Sequence, residues 1–453
     1  MEFQKIKLHR SEKNRAAVTQ ITLDDDYNVP DYRQDIVKVI KERGELRFDE
    51  VKAMEGAAWI KGSLVFKVLY RSDKQEGKIS CLRGEIPFQE RLNMDGLSEY
   101  DAVHATGDME DLTIGVINSR KLNVRAVIVL TASSEKEVDE ELTCELSDGS
   151  SYEQNIVEKE ALKLLVVRRD ICRQKSEAVL PSSKPNIREI LWQSMQLRNV
   201  ESRLVEGKIR LSGEILVSIL YNDEEEGEHL SWYETTVPLD AQAECGVMED
   251  DCIWQVQMVP LTMELEVKPD YDGEERILVM ELALDTHIRI WKEEKIRLLT
   301  DLYSLQKEVK PVFRECPMER LLVKNAAKCR MTEQMELKED KEKVLQICSC
   351  EGKVLLERQE IKPDGVLAEG TVEVNILYIT PDDHMPVGAV QEIYPFSQLV
   401  EIPEMSAQAK VELDASLEQL SAVMLDQEHV EIRAAVRLDL IAFVQEVMQN
   451  IEE

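Results

Sequence analysis

The stretch "KGSLVFKVLY" (61–70) returns twice in altered form, as "SGEILVSILY" (212–221) and "EGTVEVNILY" (369–378). A glycine stands eight residues before each closing tyrosine: Gly62, Gly213 and Gly370. A proline followed by an apolar residue stands seventeen residues after it, as Pro87-Phe88, Pro238-Leu239 and Pro395-Phe396. Three matches at three fixed positions define an internal repeat, which decides the fold before any chemistry is read. Within the motif Leu64, Phe66, Val68 and Tyr70 alternate with Ser63, Val65, Lys67 and Leu69, and the other copies keep the apolar slots. Period two with β-branched residues on one side predicts a strand with one buried face. A second strand precedes each glycine, entered through Glu55-Gly56, Glu206-Gly207 and Asp364-Gly365, pairs that suit tight turns.

The tyrosines lie 151 and 157 residues apart in a chain of 453. Each unit is therefore of domain size and far too long for a solenoid repeat. Boundaries are expected in the polar segments 133–154 and 301–311, giving domains 1–150, 151–310 and 311–453. After each tyrosine comes a polar loop ("RSDKQEG", "NDEEEG", "ITPDDHMPVG") and then a return strand. Late strands "KLNVRAVIVL" and "HVEIRAAVRL" align, and "ILVMELAL" follows a longer turn in the middle copy. Ahead of each hairpin, "DYRQDIVKVIK", "KPNIREILWQSM" and "KEDKEKVLQI" place apolar residues such as Ile187, Ile190 and Leu191 at helical spacing. The expectation is a mainly β chain of three tandem homologous domains, each a β-sandwich or open barrel with one short α-helix.

Net charge is −33, with 89 acidic against 56 basic residues. Such a surface repels phosphate backbones and anionic lipid, which points away from nucleic acid and membrane surfaces and toward a basic protein partner. No apolar run reaches the ~18–20 residues of a membrane span, and "MEFQKIKLHRSEKNRAAV" shows no secretory signal. Nine cysteines make no disulfide framework, which suits a reducing compartment; cytoplasmic synthesis is expected.

The ordered set "DDDYNVPD" (24–31), "KGSLVFKVLY", "IPF" (86–88), "INSRKLNV" (117–124), "PDYDGEER" (269–276) and "TDLYS" (300–304) resembles the SPOCS-domain family of SipL-like spore-coat assembly proteins of Clostridia. The likeness covers nearly the whole chain and is longest in the middle copy. It implies a non-enzymatic morphogenetic protein, made in the mother cell and acting at the forespore surface. Family members also carry a C-terminal LysM module that docks on the coat basement-layer ATPase. Here "LIAFVQEVMQNIEE" follows the third copy's last strand directly, so that docking mode is not carried over.

No motif carries catalysis or a cofactor. In "GAAWIKGS" (56–63) Lys61 precedes Gly62, the reverse of a phosphate loop, and the segment reads as strand. Asp24, Asp26 and Asn28 fit the first positions of a calcium loop, but Val29 and Asp35 stand where glycine and glutamate are needed. Asp270 and Asp272 read as a hairpin turn bent at Gly273. Cys348-x-Cys350 and Cys245-x6-Cys252 lack zinc spacing, and Cys172 and Cys329 share one repeat slot as small buried residues. Trp59 and Trp192 read as core, while Trp232 and Trp291 are open between core and a sugar platform. Catalytic, cofactor and metal residues are therefore all read as none. The function expected is a modular scaffold binding proteins, which the resemblance implies are spore-coat morphogenetic ones and the charge implies have a basic surface. The alternative is a carbohydrate- or cell-wall-binding β-module.

Overall fold

Tyr70, Tyr221 and Tyr378 are fully buried, and each hydroxyl donates a 3.1 Å hydrogen bond to a carbonyl 36 residues earlier: Gln34, Pro185 and Glu342. The same tie thus pins the loop leading into each hairpin. The computed structural model that shows this describes residues 2–13, 16–72, 77–147, 152–224, 229–249, 251–306, 308–338, 342–403, 405–406 and 409–452.

Each copy consists of two small antiparallel sheets. In copy 1 the motif sheet is β3 (Lys38–Met54), β4 (Ala57–Arg71) and β5 (Ile79–Asn93), with β4 central. The second sheet centres on β7 (Lys121–Leu146), flanked by β6 (Val103–Asn118) on one side and by β1 (Phe3–Lys13) and β2 (Ala17–Asn28) on the other. Copy 2 repeats the plan with β9 (Ile187–Val205), β10 (Lys208–Asp223) and β11 (Leu230–Glu244). Facing them are β8 (Glu153–Val179), β13 (Glu275–Tyr303) and β12 (Ile253–Pro269). Copy 3 has β15 (Gln346–Lys362), β16 (Gly365–Ile379) and β17 (Val387–Glu401), with β14 (Phe313–Glu336), β19 (His429–Ile451) and β18 (Ala409–Met424). The alternating apolar residues of the two sheets meet inside each copy, in copy 2 as two clusters; in copy 1 they include Ile60, Phe66 and Leu82 against Leu122, Ala126 and Leu130. Burying one such large side chain contributes roughly 1.5–3 kcal/mol, so packing between sheets is what holds each copy together.

The glycine and the proline-apolar pair turn out to be one device. Gly62 lies opposite Phe88, Gly213 opposite Leu239 and Gly370 opposite Phe396. A β-bulge on the neighbouring strand, at Asp49, Val200 and Glu357, brings backbone against the glycine. A methyl group on Gly62 would collide with Arg47 O and with the Phe88 ring, and one on Gly370 with Leu355 O and Phe396. Only glycine leaves room for both the bulge and the ring.

The expected helix is absent. Among the described residues there is no helix, and hence none long and apolar enough to cross a membrane. Ile187–Val205 is strand, copy 1 becomes strand from Lys38, and copy 3 from Gln346; residues 339–341 of the third helical signal lie outside the described residues. The reason is a second β-bulge. Pairing skips Ile40, Leu191 and Cys348, the same slot in each copy. One extra residue breaks the period of two, so Ile187, Ile190 and Leu191 mimic a helical face while lying on a bent strand. Parts of the loops after the first two tyrosines (73–76 and 225–228) also lie outside the described residues; in copy 3 the loop is a turn in which Thr380 Oγ1 donates to Met385 O.

Candidate functional site

The bulge residues lead to the site. A sheet with a solvated outer face should carry polar residues there, yet Leu69, Leu220 and Leu377, each one residue before the tyrosine, point outward and are buried. They form one cluster with the bulge residues Ile40, Leu191 and Cys348 and with Ile79, Leu230 and Val387. These are three sets of same-slot residues, one from each copy. The motif sheets therefore converge on a pseudo-threefold axis. Contacts run head to tail: β5 meets β9, β11 meets β15, and β17 meets β3, which closes the ring. Burial pushes the Cys348 thiol up to about 12, so this cysteine is an inert packing group on the axis.

Below this apolar layer lies a buried polar knot that no periodicity could reveal. Glu351 of copy 3 accepts from Lys41 Nζ of copy 1 at 3.1 Å and from Trp192 Nε1 of copy 2 at 3.0 Å, with Arg43 at 3.5 Å. Burial opposes charge on Glu351, but Lys41 and Arg43 overcome it and hold the carboxyl below its usual range. Gln196 of copy 2 also donates to Cys350 O of copy 3. One carboxylate thus joins all three copies.

The second sheets continue past the sandwiches as three two-stranded ribbons, β1–β7, β8–β13 and β14–β19, which pack together. Their interior holds Leu8, Leu142, Ala161, Leu298, Cys316 and Met318. Asn450 occupies the slot of Leu142 and Leu298. Its Nδ2 donates to Thr143 O at 2.8 Å and Leu299 O at 3.2 Å, and its Oδ1 accepts from Thr143 N at 2.7 Å. Charged pairs add further ties between copies: His287–Glu135 at 2.9 Å, Arg314–Glu140 at 2.5 Å, and Arg289 with Glu412. Burial alone would raise the Glu135 carboxyl; hydrogen bonds from His287 and Ser11 win and hold it at about 2.

Between ring and ribbons lies a cleft of about 800 Å³. Thr106, Gln257 and Asp414, one slot in the three copies, all line it, which places it at the junction of the copies. Several of its polar groups pair with one another. Gln257 donates to Asp414 at 3.2 Å, Arg437 Nε to Asp439 at 2.8 Å, and Lys324 to Trp254 O at 2.6 Å, with Lys324 Nζ 4.5 Å from the Trp254 ring centre. Two of these contacts, Gln257 with Asp414 and Lys324 with Trp254, join copy 2 to copy 3.

The residues singled out in the sequence lie apart from this junction or serve packing within it. Asp24 and Asp26 sit on β2, not in a loop; Asn123 Nδ2 donates to Asp24 at 2.8 Å and Lys121 pairs with Asp26 at 2.7 Å. Asp270 accepts from the amides of Asp272 and Glu274 in a turn where Gly273 has φ +84°. Lys61 and Gly62 belong to β4. Cys172, Cys245, Cys252 and Cys350 are buried in domain cores and Cys329 is partly buried against one. Trp192 and Trp291 are buried and offer no open stacking face, while Trp232 is half-buried with Lys184 Nζ 4.8 Å from its ring centre. Glu249, Asp251 and Cys252 form a group the sequence reading passed over, with ligand atoms within 4.8 Å of one another; Lys292 pairs with both carboxylates there.

A family model described as SipL, SPOCS domain, matches residues 35–117, 186–268 and 343–425, together more than half of the chain. Each match begins in the lead-in loop ahead of its motif sheet and ends on, or in copy 3 one residue past, the flanking strand of the second sheet. No curated protein and no solved structure matches the chain.

Proposed function

The chain belongs to the SipL, SPOCS-domain family, and on that premise we propose that it is a non-enzymatic scaffold for envelope assembly during sporulation. The observation that supports this best is the closed ring. The residues kept in all three copies (glycine, tyrosine, proline-apolar pair and axis leucine) serve turns, cores and the junction, while exterior polar positions differ from copy to copy. That is the pattern of a rigid frame presenting varied surfaces. Partners would add strands to sheet edges that lie away from the junction of the copies, through main-chain hydrogen bonds. The acidic exterior would steer a basic partner and lose that steering as salt rises. The site of action in this reading is the mother-cell side of the forespore surface.

The test is affinity capture from sporulating cells at low and high ionic strength, with a fluorescent fusion followed in the same cells. A specific basic partner released by salt, and a fluorescent ring around the forespore, are expected. Diffuse fluorescence throughout sporulation together with no salt-sensitive partner would sink the proposal.

A further inference from the structure

Arg43, Lys67 and Arg83 stand directly opposite one another on β3, β4 and β5, on the outer face of the copy-1 motif sheet. Neighbouring strands are only ~4.8 Å apart, and like charges placed opposite each other repel. The corresponding rows are Ser194–Ser218–Glu234 in copy 2 and Glu351–Asn375–Gln391 in copy 3. The row of cations is thus peculiar to copy 1, in a chain of net charge −33. Arg43 is answered by Glu45 at 3.1 Å and Glu351 at 3.5 Å. Among the described residues, Lys67 and Arg83 form no salt bridge. Lys67 is also partly buried, because copy 3 packs along β3 on one side and copy 2 along β5 on the other, where Cys81 Sγ meets Ile190 O. Burial lowers its ammonium below the usual lysine range; Glu45 opposes this, and Arg43 and Arg83 add to it.

We propose that Lys67 and Arg83, with Arg43 behind them, form a site for a small oxyanion, phosphate or carboxylate, held where copy 1 faces its two neighbours. Arg83 is exposed and marks the mouth; Lys67 lies deeper and supplies the central charge. An oxyanion bridging the two would make charge-assisted hydrogen bonds to both and remove the repulsion along the row. Recession between copies favours a small anion over an extended polymer. The site is independent of the scaffold reading, since either can fail alone.

The experiment compares the full chain in sodium phosphate, in sodium citrate and in sodium chloride at matched ionic strength and pH. Thermal unfolding and titration calorimetry are the readouts. Saturable phosphate or citrate binding and a raised melting temperature are expected, and the preferred anion separates the phosphate from the carboxylate source. Arg83→Ala removes the exposed member of the repelling row and should raise the chloride melting temperature slightly while weakening the anion about ten-fold or more, the loss expected for one charge-assisted contact. Lys67→Met should abolish the anion effect and raise stability in chloride. Equal melting temperatures in all three salts, or an anion effect that survives both substitutions, overturns the site.

Discussion

Lys41 Nζ lies 3.1 Å from Glu351 Oε1, although 310 residues of chain separate them, and both side chains are withdrawn from solvent. This pair joins the first copy to the third and so closes the ring. A buried pair is costly to break from one side, because the remaining charge is left without its partner. Because Glu351 keeps Trp192 and Arg43, Lys41→Met is expected to lower unfolding stability by less than the ~3–5 kcal/mol of a fully orphaned buried charge. Lys41→Met combined with Glu351→Leu should recover part of that loss, which urea midpoints of the two single variants and the double would reveal. A neutral Lys41→Met would mean that the ring does not rest on this contact.

The three buried tyrosine hydroxyls make one prediction three times. Tyr70→Phe, Tyr221→Phe and Tyr378→Phe each remove a donor from a lead-in-loop carbonyl, and should each cost about 1–2 kcal/mol. Because the surroundings repeat, the three losses should agree closely. Hydrogen exchange should accelerate in residues 29–37, 180–186 and 342–345 respectively. A large loss at one site and none at the others would contradict the equivalence of the copies.

Substitution of the motif glycines should follow the crowding around them. Gly62→Ala and Gly370→Ala push a methyl into a carbonyl oxygen and an aromatic ring, whereas Gly213→Ala meets only backbone, and less closely. Overpacking of this kind costs roughly 1–3 kcal/mol. Melting temperatures should therefore fall further for the first and third copies than for the second.

The junction between copies 1 and 2 should be acid-sensitive. Burial, with Arg169 next, lowers His104 to about 4 from its ordinary 6.5, and Glu135 is held at about 2 against 4.5. In both cases the unfolded chain binds the proton more tightly than the folded chain does, so stability rises with pH between each pair of values. The His104 contribution is complete above pH 6.5 and disappears toward 4; that of Glu135 is complete above 4.5 and disappears toward 2. His104→Gln should flatten the upper window and Glu135→Gln the lower one, as read from unfolding midpoints across pH. Unaltered profiles in both variants would remove these groups from the account.

Asn450 is the polar member of an otherwise apolar layer. Asn450→Leu would match Leu142 and Leu298 in character but leave the Thr143 amide and carbonyl without their partner, for a net loss of about 1–3 kcal/mol. Amide exchange at Thr143 is the direct readout, and protection equal to that of the parent protein would show the tie to be dispensable.

The sequence alone determined the repeat, the strands and the glycine, tyrosine and proline-apolar slots, because local alternation and turn chemistry act over a few residues and are written three times. It misled at Ile187, Ile190 and Leu191, where a β-bulge imitates helical spacing, since one inserted residue shifts a period of two in the same way that a helical turn would. The outward leucines Leu69, Leu220 and Leu377 were visible, but their meaning was not: an apolar residue on the wrong face of a strand signals burial without saying against what. Lys41 and Trp192 stand in one repeat slot, just after the bulge residues Ile40 and Leu191, and Glu351 stands in the slot of Arg43, yet the residue types differ from copy to copy, so aligning the copies does not link them. Only the closed ring brings them together, because contact across 159 and 310 residues depends on how whole sheets pack and not on what stands beside each residue in the chain.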